Sequence, residues 1–571
     1  MNPEVFKPDG TKIEYDVGTT MSDGVRLSSD IYFPSKNQPG PYPTILYRTP
    51  YSNQMDYLVE RGKYFSQNGY VVVCQDVRGR HDSGGEFIRW KHEFNDGNET
   101  IEWIGSQEWC DGNVGMAGPS YLGYVQWQAA SMGSDYLKCI APAVMSGDLH
   151  ESPHYQGGAF QLALNTTWSF TTDGKTMQTI DDYDWERLFY HLPIKEIPAA
   201  AGRNIPDFVE WIDNPDFGDY WHKINVINRL ESVKVPCLHI GGWYDLYPQG
   251  TLNLFKRMQN HGGSKLAREN QYVILGPWIH SASDTTMAGD IDFGVDSVLD
   301  LKEIELSWFD KWLKNQPNNF NQSAPIKMFV MGRNEWRNEE EWPPKGVTIT
   351  PMYLRSEGHS NSASGDGLLS FDKPGKELAD CFIYNPMFPV PTKGGGNCCS
   401  PHIVNWGAFD QREIEARADV LVYTSETLTD EVEVSGPIIL KLFASTDCAD
   451  TDFTAKLVDV CEDGCSRNLT DGIIRARYRD SMSDPSLITP DDPTFYEIDL
   501  WATSNCFKKG HHIRIEISSS NFPRFDRNSN TGDEISGDRI LLPALQKILH
   551  STDYPSYVTL PIVPPKDLDL T

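Results

Sequence analysis

Positive charge is scarce in this 571-residue sequence: 50 Lys and Arg stand against 80 Asp and Glu, which gives a formal net charge of −30. A nucleic-acid-binding protein needs a basic surface to displace the counterions of the phosphate backbone, and an anionic membrane surface repels an acidic protein. We therefore expect no nucleic acid and no membrane among the partners. The acidity favours a neutral or cationic small substrate.

Long apolar runs are also missing, since the longest fall well short of the ~18 residues that cross a bilayer. The first ten residues contain neither the basic segment nor the apolar core of a secretory signal. The 11 cysteines are an odd number scattered through a long chain, which argues against a disulfide framework. Together these features predict a cytoplasmic protein.

Metal and cofactor motifs are equally scarce. Cys461 and Cys465 lie four residues apart, but no second pair follows at a spacing typical of zinc sites. Residues 526–530 lack the regular spacing and closing glutamate of a calcium loop. Gly84 and Gly85 are not followed by the lysine of a phosphate-binding loop. We expect no metal and no cofactor.

The chain is longer than the roughly 250–300 residues that one hydrophobic core sustains. In its first part, short apolar β-rich runs such as 43–47 and 70–74 alternate with helical spacing, which predicts an α/β fold with a doubly wound sheet. Strand patterns are absent from 148–234, where aromatic and acidic residues cluster, and they resume at residue 236. We predict a core formed by 1–147 and 235–345, interrupted by a helical insertion at 148–234.

The last part of the chain has a different pattern. After Trp-Pro-Pro-Lys-Gly at 342–346, many short alternating strands, such as 438–443 and 513–517, are broken by Gly, Asp, Asn and Pro. Such spacing is typical of an all-β sandwich or jelly roll. We predict that residues 346–571 form this domain.

A serine lies where a buried strand is expected to meet a helix, in Gly118-Pro119-Ser120-Tyr121-Leu122-Gly123. A sharp turn of this kind exposes the hydroxyl of a nucleophile, and the N-terminus of the following helix favours a developing oxyanion. The generic Gly-x-Ser-x-Gly motif is not met, because Leu122 stands where the second glycine is expected. Ser120 is the candidate nucleophile.

An activated serine needs a general base and a carboxylate that orients it, which hydrolases of this type supply in the chain order Ser, Asp, His. Asp245 ends Gly-Gly-Trp-Tyr-Asp after one predicted strand, and His280 ends Gly-Pro-Trp-Ile-His after the next. Both lie at carboxyl ends of strands, where α/β sheets place their sites. His239 lies nearer a strand centre, and we interpret it as structural.

These motifs resemble those of a known family, the cocaine esterase branch of the X-Pro dipeptidyl-peptidase-like serine hydrolases. The resemblance is carried by 109–123, 241–245 and 276–280, and it continues through 451–460 and 518–523. The family's own elbow accommodates Leu122 and Gly123. The resemblance implies an α/β-hydrolase core, a helical cap and a C-terminal jelly roll.

The resemblance also implies further roles around the serine. The hydroxyl of Tyr51 and the backbone N–H of Tyr121 would form the oxyanion hole. Trp168 in the cap and Tyr247 beyond the acid are candidates for the substrate pocket, and the Cys398-Cys399 region would border it. Asp76-Val77-Arg78-Gly79 also matches the family, and we interpret it as a structural ion-pair turn close to the site.

The sequence leaves the substrate class open. The first hypothesis is hydrolysis of carboxylic esters, including aryl-acyl esters, through an acyl-enzyme. Relatives of the same family include α-amino acid ester hydrolases, acylases and X-Pro dipeptidyl peptidases, and the acidic run 181–186 could hold an ammonium group, although a solvated helix face is the simpler interpretation. A third hypothesis is a binding protein without catalysis. The partner expected is a small ester or amide, with a homodimer as one option for assembly.

Overall fold

The structure is a computed structural model that describes residues 5–6, 11–35, 39–318, 320 and 323–564. Its first half is built on an eleven-stranded sheet whose central strands are parallel and whose outer strands are antiparallel. In spatial order the strands are Val5–Phe6, Lys12–Thr20, Arg26–Phe33, Val71–Asp76, Tyr42–Thr49, Cys110–Pro119, Leu137–Ala143, Cys237–Gly242, Gln271–Gly276, Ile326–Val330 and Glu335–Glu339.

Helices cover both faces of this sheet, which is why its parallel strands are almost entirely buried. Glu93–Gly105 and Tyr121–Ala130 pack on one face, and Asp56–Gln67 and Leu301–Leu313 pack on the other. The remaining elements of this half are the helices Pro248–His261 and Lys265–Glu269, the hairpin Met287–Ala288 with Ile291–Asp292, and the turn Val295–Ser297. The predicted α/β-hydrolase core is confirmed.

Between the strands Leu137–Ala143 and Cys237–Gly242 the chain forms a cap of short helical segments and one small hairpin. The cap has a dense aromatic core that includes the fully buried Phe160, Trp211 and Trp221. Its helical segments are His150–His154, Leu162–Thr171, Trp185–Phe189, Ile194–Glu196, Ile197–Ala200, Pro206–Asp213, Asp219–Ile224 and Ile227–Ser232, and its strands are Tyr155–Gln156 and Ala159–Phe160.

The second half of the chain is an all-β domain, as the strand and turn pattern predicted. Its strands are joined by mostly antiparallel pairing around a core in which Leu440, Leu442, Phe453 and Ile515 are fully buried. They are Thr348–Arg355, Leu368–Ser370, Asp380–Tyr384, Leu421–Thr424, Val432–Thr446, Asp452–Val460, Ser466–Arg475, Thr494–Phe507, His512–Ser518, Ala544–Leu549 and Tyr557–Ile562, with the short helical segments Arg412–Glu415 and Ala476–Tyr478.

The cap is fastened to the all-β domain by backbone and charged contacts. The N–H of Ala163 donates to the carbonyl of Pro523 at 3.0 Å, and the N–H of Phe160 donates to the Asp526 carboxylate at 2.8 Å. Arg475 pairs with that same carboxylate at 2.9 Å in a buried setting. Within the described residues, no helix combines the length and the apolar composition that crossing a membrane requires.

Candidate active site

Ser120 occupies a strained turn between the strand Cys110–Pro119 and the helix Tyr121–Ala130. Its φ of 57° and ψ of −122° lie outside the regions that L-residues ordinarily adopt, and such strain concentrates at functional sites. The turn is tight because Gly118 has a φ of 130° and a Cβ there would lie 2.6 Å from Leu122 Cβ. A Cβ on Gly123 would lie 3.0 Å from the Ala143 carbonyl oxygen. Glycines are thus required at 118 and 123, and the side chain of Leu122 is accommodated between them.

The side chain of Ser120 interacts with the hydroxyl of Tyr51 and lowers the pKa of that phenol, against the larger rise that burial causes. The Tyr51 hydroxyl also accepts a hydrogen bond from Trp168 Nε1 at 3.1 Å. Burial raises the pKa of Tyr51, so the phenol keeps its proton at neutral pH and can donate it. The two residues that the sequence assigned to the oxyanion hole and the pocket therefore meet at the candidate nucleophile.

The loop that carries Tyr51 is held by the strand end at Asp76. The Asp76 carboxylate accepts the N–H of Asn53 at 2.7 Å, and burial raises the pKa of this carboxyl to about 7. Arg80 donates to the carbonyl of Pro50 at 2.8 Å. The segment takes part in ion pairs as predicted, with partners outside it: Arg78 pairs with Asp96 and Asp23, while Asp76 points towards the Tyr51 loop.

Asp245 and His280 meet as the sequence predicts for an acid and a base. Asp245 Oδ1 lies 2.7 Å from His280 Nδ1, and it also accepts the N–H of Leu246 at 2.7 Å. The Asp245 side chain is fully buried and that of His280 is 11% exposed. His239 instead bonds to Gln271 at 2.8 Å inside the sheet, where burial lowers its pKa to about 4, so its setting is structural.

Strand pairing brings Ser120, Asp245 and His280 to one edge of the sheet. Pro119, just before the serine, pairs with Ala143, and Ala143 in turn pairs with Ile240. The strands that precede Asp245 and His280 then end together, with Gly242 opposite Gly276. Carboxyl ends of parallel strands form the edge at which α/β proteins place their sites.

Tyr121 contributes both its backbone and its side chain. Its N–H is among the first of a helix, which have no partner within the helix and can receive an anion. Its hydroxyl donates to Glu93 at 2.9 Å, and Glu93 pairs with the fully buried Arg48 at 2.6 Å. This buried network anchors the start of the helix behind Ser120, and the sequence interpretation did not anticipate it.

A stack of aromatic rings from the core and the cap lies beside the elbow. Trp90 stacks on Tyr121 with 4.2 Å between centroids and on Trp168 with 5.6 Å. Trp168 stacks further on Trp211 at 6.2 Å. The sequence analysis did not identify Trp90 as a residue near the site, because Trp90 belongs to no periodic pattern in the sequence. These rings are at most 9% exposed, so they pack mainly against one another and leave only a small apolar surface.

Tyr247 and the Cys398-Cys399 segment complete the surroundings of the candidate base. The ring of Tyr247 lies 5.7 Å from that of His280. Cys398 packs with Tyr247 and Trp501 in one buried cluster, and it forms a disulfide with its neighbour Cys399. The other nine cysteines are free thiols, so no disulfide joins distant parts of the chain.

The acidic run and Asp526, which the sequence analysis set aside, have partners of their own. In the acidic run, Asp181 is 73% exposed and pairs with His402, and Asp184 caps a helix by accepting the N–H of Arg187. Asp526 is held by Arg475, as described above. None of these contacts places a carboxylate of the acidic run beside Ser120.

Comparisons with known proteins match the chain in two parts. Residues 23–282 match the family model of the X-Pro dipeptidyl-peptidase (S15 family). Residues 318–559 match the X-Pro dipeptidyl-peptidase C-terminal non-catalytic domain. The first match lies within the α/β half, and the second covers the all-β half together with the last two strands of the α/β sheet, Ile326–Val330 and Glu335–Glu339.

Similar proteins of the same architecture are named as enzymes of different substrate classes. The cocaine esterase of Rhodococcus sp. (strain MB1 Bresler) is 38% identical over 579 residues, which cover 96% of this chain and 98% of that protein. A solved α-amino acid ester hydrolase labelled with selenomethionine has a TM-score of 0.86 at 25% identity, with 98% of each chain covered. An aminopeptidase from a marine sediment archaeon, Thaumarchaeota archaeon, shares the fold, with a TM-score of 0.86 at 24% identity and 98% of each chain covered. The chain thus belongs to the cocaine esterase-like (CocE/NonD) branch of the X-Pro dipeptidyl-peptidase-like serine hydrolase family.

Proposed function

We propose that this protein hydrolyses carboxylic esters of small molecules through an acyl-enzyme on Ser120. The observation that carries the proposal is the strained elbow at Ser120, in contact with the Tyr51 hydroxyl, at the sheet edge where Asp245 and His280 are hydrogen-bonded. The cocaine esterase relative, which covers nearly the whole chain, supports ester hydrolysis.

In the proposed mechanism, His280 acts as the general base and Asp245 orients it. His280 Nε2 takes the proton of Ser120 as its oxygen attacks the ester carbonyl, and the resulting oxyanion accepts hydrogen bonds from the Tyr51 hydroxyl and the Tyr121 N–H. The tetrahedral intermediate collapses, and the same proton passes from His280 to the departing alcohol. Water, deprotonated by His280, then attacks the acyl-enzyme and releases the acid.

The acyl group is proposed to lie against the aromatic rings beside the elbow. Trp168 presents its ring next to the Tyr51 hydroxyl, and Trp90 continues the stack. Tyr247 lines the side nearer His280. Trp168 and Tyr247 each keep 9% of their surface exposed, and this small apolar surface supports an uncharged acyl group, such as an aryl-acyl group, as the preferred substrate.

Amide and α-aminoacyl substrates form the second candidate, because the matching family model is that of X-Pro dipeptidyl peptidases. An α-aminoacyl group needs carboxylates to hold its ammonium. The acidic run of the cap is exposed to solvent instead, and Asp181 is already engaged by His402. The contacts described therefore favour an uncharged acyl group.

The test is a panel of acyl donors applied to the wild type and to Ser120→Ala. We expect a benzoyl ester to be cleaved faster than an α-aminoacyl ester or an X-Pro anilide, with a burst of alcohol that reports the acyl-enzyme. Ser120→Ala should abolish turnover and labelling by a fluorophosphonate. The matched control is Ser131→Ala, which removes a hydroxyl bonded to the Gln128 carbonyl at the end of the same helix. Full activity in Ser120→Ala would reject the proposal.

A further inference from the structure

A loop of the C-terminal half brings two adjacent cysteines to the candidate base. This cysteine loop, residues 395–407, is closed at its base by reciprocal backbone bonds between Gly395 and Gly407 at 2.8 and 2.9 Å. Asn397 fastens it internally by donating to the Asn405 carbonyl at 2.9 Å. The loop therefore has a defined shape that holds the two sulfur atoms in place.

The sulfur atoms of Cys398 and Cys399 and a ring nitrogen of His280 all lie within 4.8 Å of one another. Cys398 is buried against Tyr247, whereas Cys399 is exposed to solvent. A tetrahedral zinc site, with Zn–S of about 2.3 Å and Zn–N of about 2.0 Å, places its ligand atoms roughly 3.5–3.8 Å apart. Once the disulfide is reduced, the two sulfur atoms have to move apart to that spacing, with the imidazole already within 4.8 Å. The exposed Cys399 provides an entry path.

His280 is already arranged in the way that metal-binding histidines are. Its Nδ1 is hydrogen-bonded to the buried Asp245 at 2.7 Å, which leaves Nε2 as the nitrogen available to a ligand. A carboxylate behind a histidine fixes its tautomer and raises the basicity of the opposite nitrogen, and this arrangement recurs in zinc sites. The same Nε2 is the atom that would receive the proton of Ser120.

We propose that the reduced Cys398 and Cys399, together with His280, form an inhibitory site for a thiophilic divalent cation such as Zn²⁺. Reduction of the disulfide by a thiol or a phosphine adds two electrons and two protons and yields two thiols. Binding of the cation then releases both protons to solvent and forms two metal–thiolate bonds and one metal–imidazole bond. The disulfide form offers no thiolate and leaves His280 free. Inhibition by the bound cation rests on the proposed role of His280 as the general base, whereas binding of the cation does not.

The experiment uses the full chain and Cd²⁺ as the probe, because thiolate–cadmium bonds absorb in the ultraviolet. The protein is reduced with a phosphine, freed of reductant and titrated. We expect one Cd²⁺ per chain with thiolate charge-transfer absorption, and a loss of ester hydrolysis of at least about tenfold that a chelator reverses. The oxidised protein should neither show this absorption nor lose activity at the same Cd²⁺ concentration.

Variants separate this site from other thiols. Cys398→Ser with Cys399→Ser should remove both the absorption and the inhibition. Cys461→Ser with Cys465→Ser is the matched control, because these cysteines are also close in sequence and partly exposed, and it should retain both. His280→Ala should weaken Cd²⁺ binding by about tenfold or more, a readout that needs no activity.

Two results would overturn the proposal. Unchanged Cd²⁺ absorption in the Cys398→Ser, Cys399→Ser variant would place the metal elsewhere. Unchanged Cd²⁺ affinity in His280→Ala would show that the imidazole is not a ligand. These results differ from those expected if the proposed function is wrong. In that case the reduced, metal-free wild type would lack esterase activity, while the absorption changes on adding Cd²⁺ would remain.

Discussion

Replacing Tyr51 by phenylalanine removes one hydroxyl beside the candidate nucleophile and leaves the ring in place. That hydroxyl accepts a hydrogen bond from Trp168 Nε1 at 3.1 Å, and the Ser120 side chain lies near enough to lower its pKa. Because the indole N–H can only donate, the Tyr51 proton remains available to an oxyanion. Burial raises the pKa of Tyr51, which keeps this proton on the phenol.

The size of the expected loss in kcat follows from the number of hydrogen-bond donors to the oxyanion. With two donors proposed, the Tyr51 hydroxyl and the Tyr121 N–H, removal of one should lower kcat by about 10²–10³-fold, or about 2.7–4 kcal/mol of transition-state stabilisation. The change in KM should stay below about threefold, because the oxyanion exists only after attack on the carbonyl. Steady-state hydrolysis of an aryl ester measures both constants.

Two further variants make the result specific. Tyr64→Phe removes a hydroxyl that donates to Glu303 on the opposite face of the sheet, and its kcat should stay within about twofold of the wild type. Trp168→Phe removes the donor to Tyr51, so its effect should shrink in the Tyr51→Phe background, with a coupling energy of about 0.5–3 kcal/mol. A Tyr51→Phe enzyme that kept kcat within about threefold of the wild type would refute the assignment of this hydroxyl.

Three other variants test the supporting groups. Asp245→Asn should lower kcat by about 10⁴-fold, because it presents the wrong hydrogen-bond partner to His280; activity assays check this. Glu93→Ala leaves the buried Arg48 without its partner and should destabilise the fold by about 3–5 kcal/mol in urea unfolding. For Asp76, the pKa of about 7 in the folded protein lies above the unfolded value of 3.8. As the pH rises, the carboxyl therefore stays protonated to a higher pH in the folded state than in the unfolded state. Through this carboxyl, the free energy of unfolding of the wild type falls by about 1.4 kcal/mol per pH unit from pH 4 to 7. Because an amide does not ionise, the stability of Asp76→Asn relative to the wild type should rise over the same pH range, which thermal unfolding measures.

The fold class and the placement of the candidate site could be predicted because they depend on local patterns and chain order. Apolar runs marked the parallel strands, and Ser120, Asp245 and His280 each follow one of them. Parallel strands end at one edge, so three short motifs far apart in sequence were expected to converge there. The hydrogen bond between Asp245 and His280 agrees with this reasoning, while the catalytic roles remain predictions for the variants above.

The surroundings of the site could not be derived in this way. Trp90 reaches the elbow through stacking on Tyr121 and Trp168, and no spacing in the sequence indicates such a contact. Asp76-Val77-Arg78-Gly79 was expected to be an ion-pair turn, but the partners of Arg78, Asp96 and Asp23, could not be named from the sequence. Side-chain direction at a strand end depends on which loop packs against it. Asp76 is satisfied by the N–H of Asn53, a partner that only the folded chain brings near.

The all-β half of the chain matches a domain described as non-catalytic, yet it contributes to the surroundings of the candidate base. Cys398 packs against Tyr247, and the sulfur atoms of the cysteine loop lie within 4.8 Å of a His280 nitrogen. On the other side, the cap reaches the nucleophile through Trp168. The cap and the all-β domain are themselves joined by the bond from the Phe160 N–H to the Asp526 carboxylate, which Arg475 of the all-β domain holds in place. Loosening of that contact should therefore disturb both sides of the site together. The geometry at the sheet edge is therefore a property of all three parts of the chain.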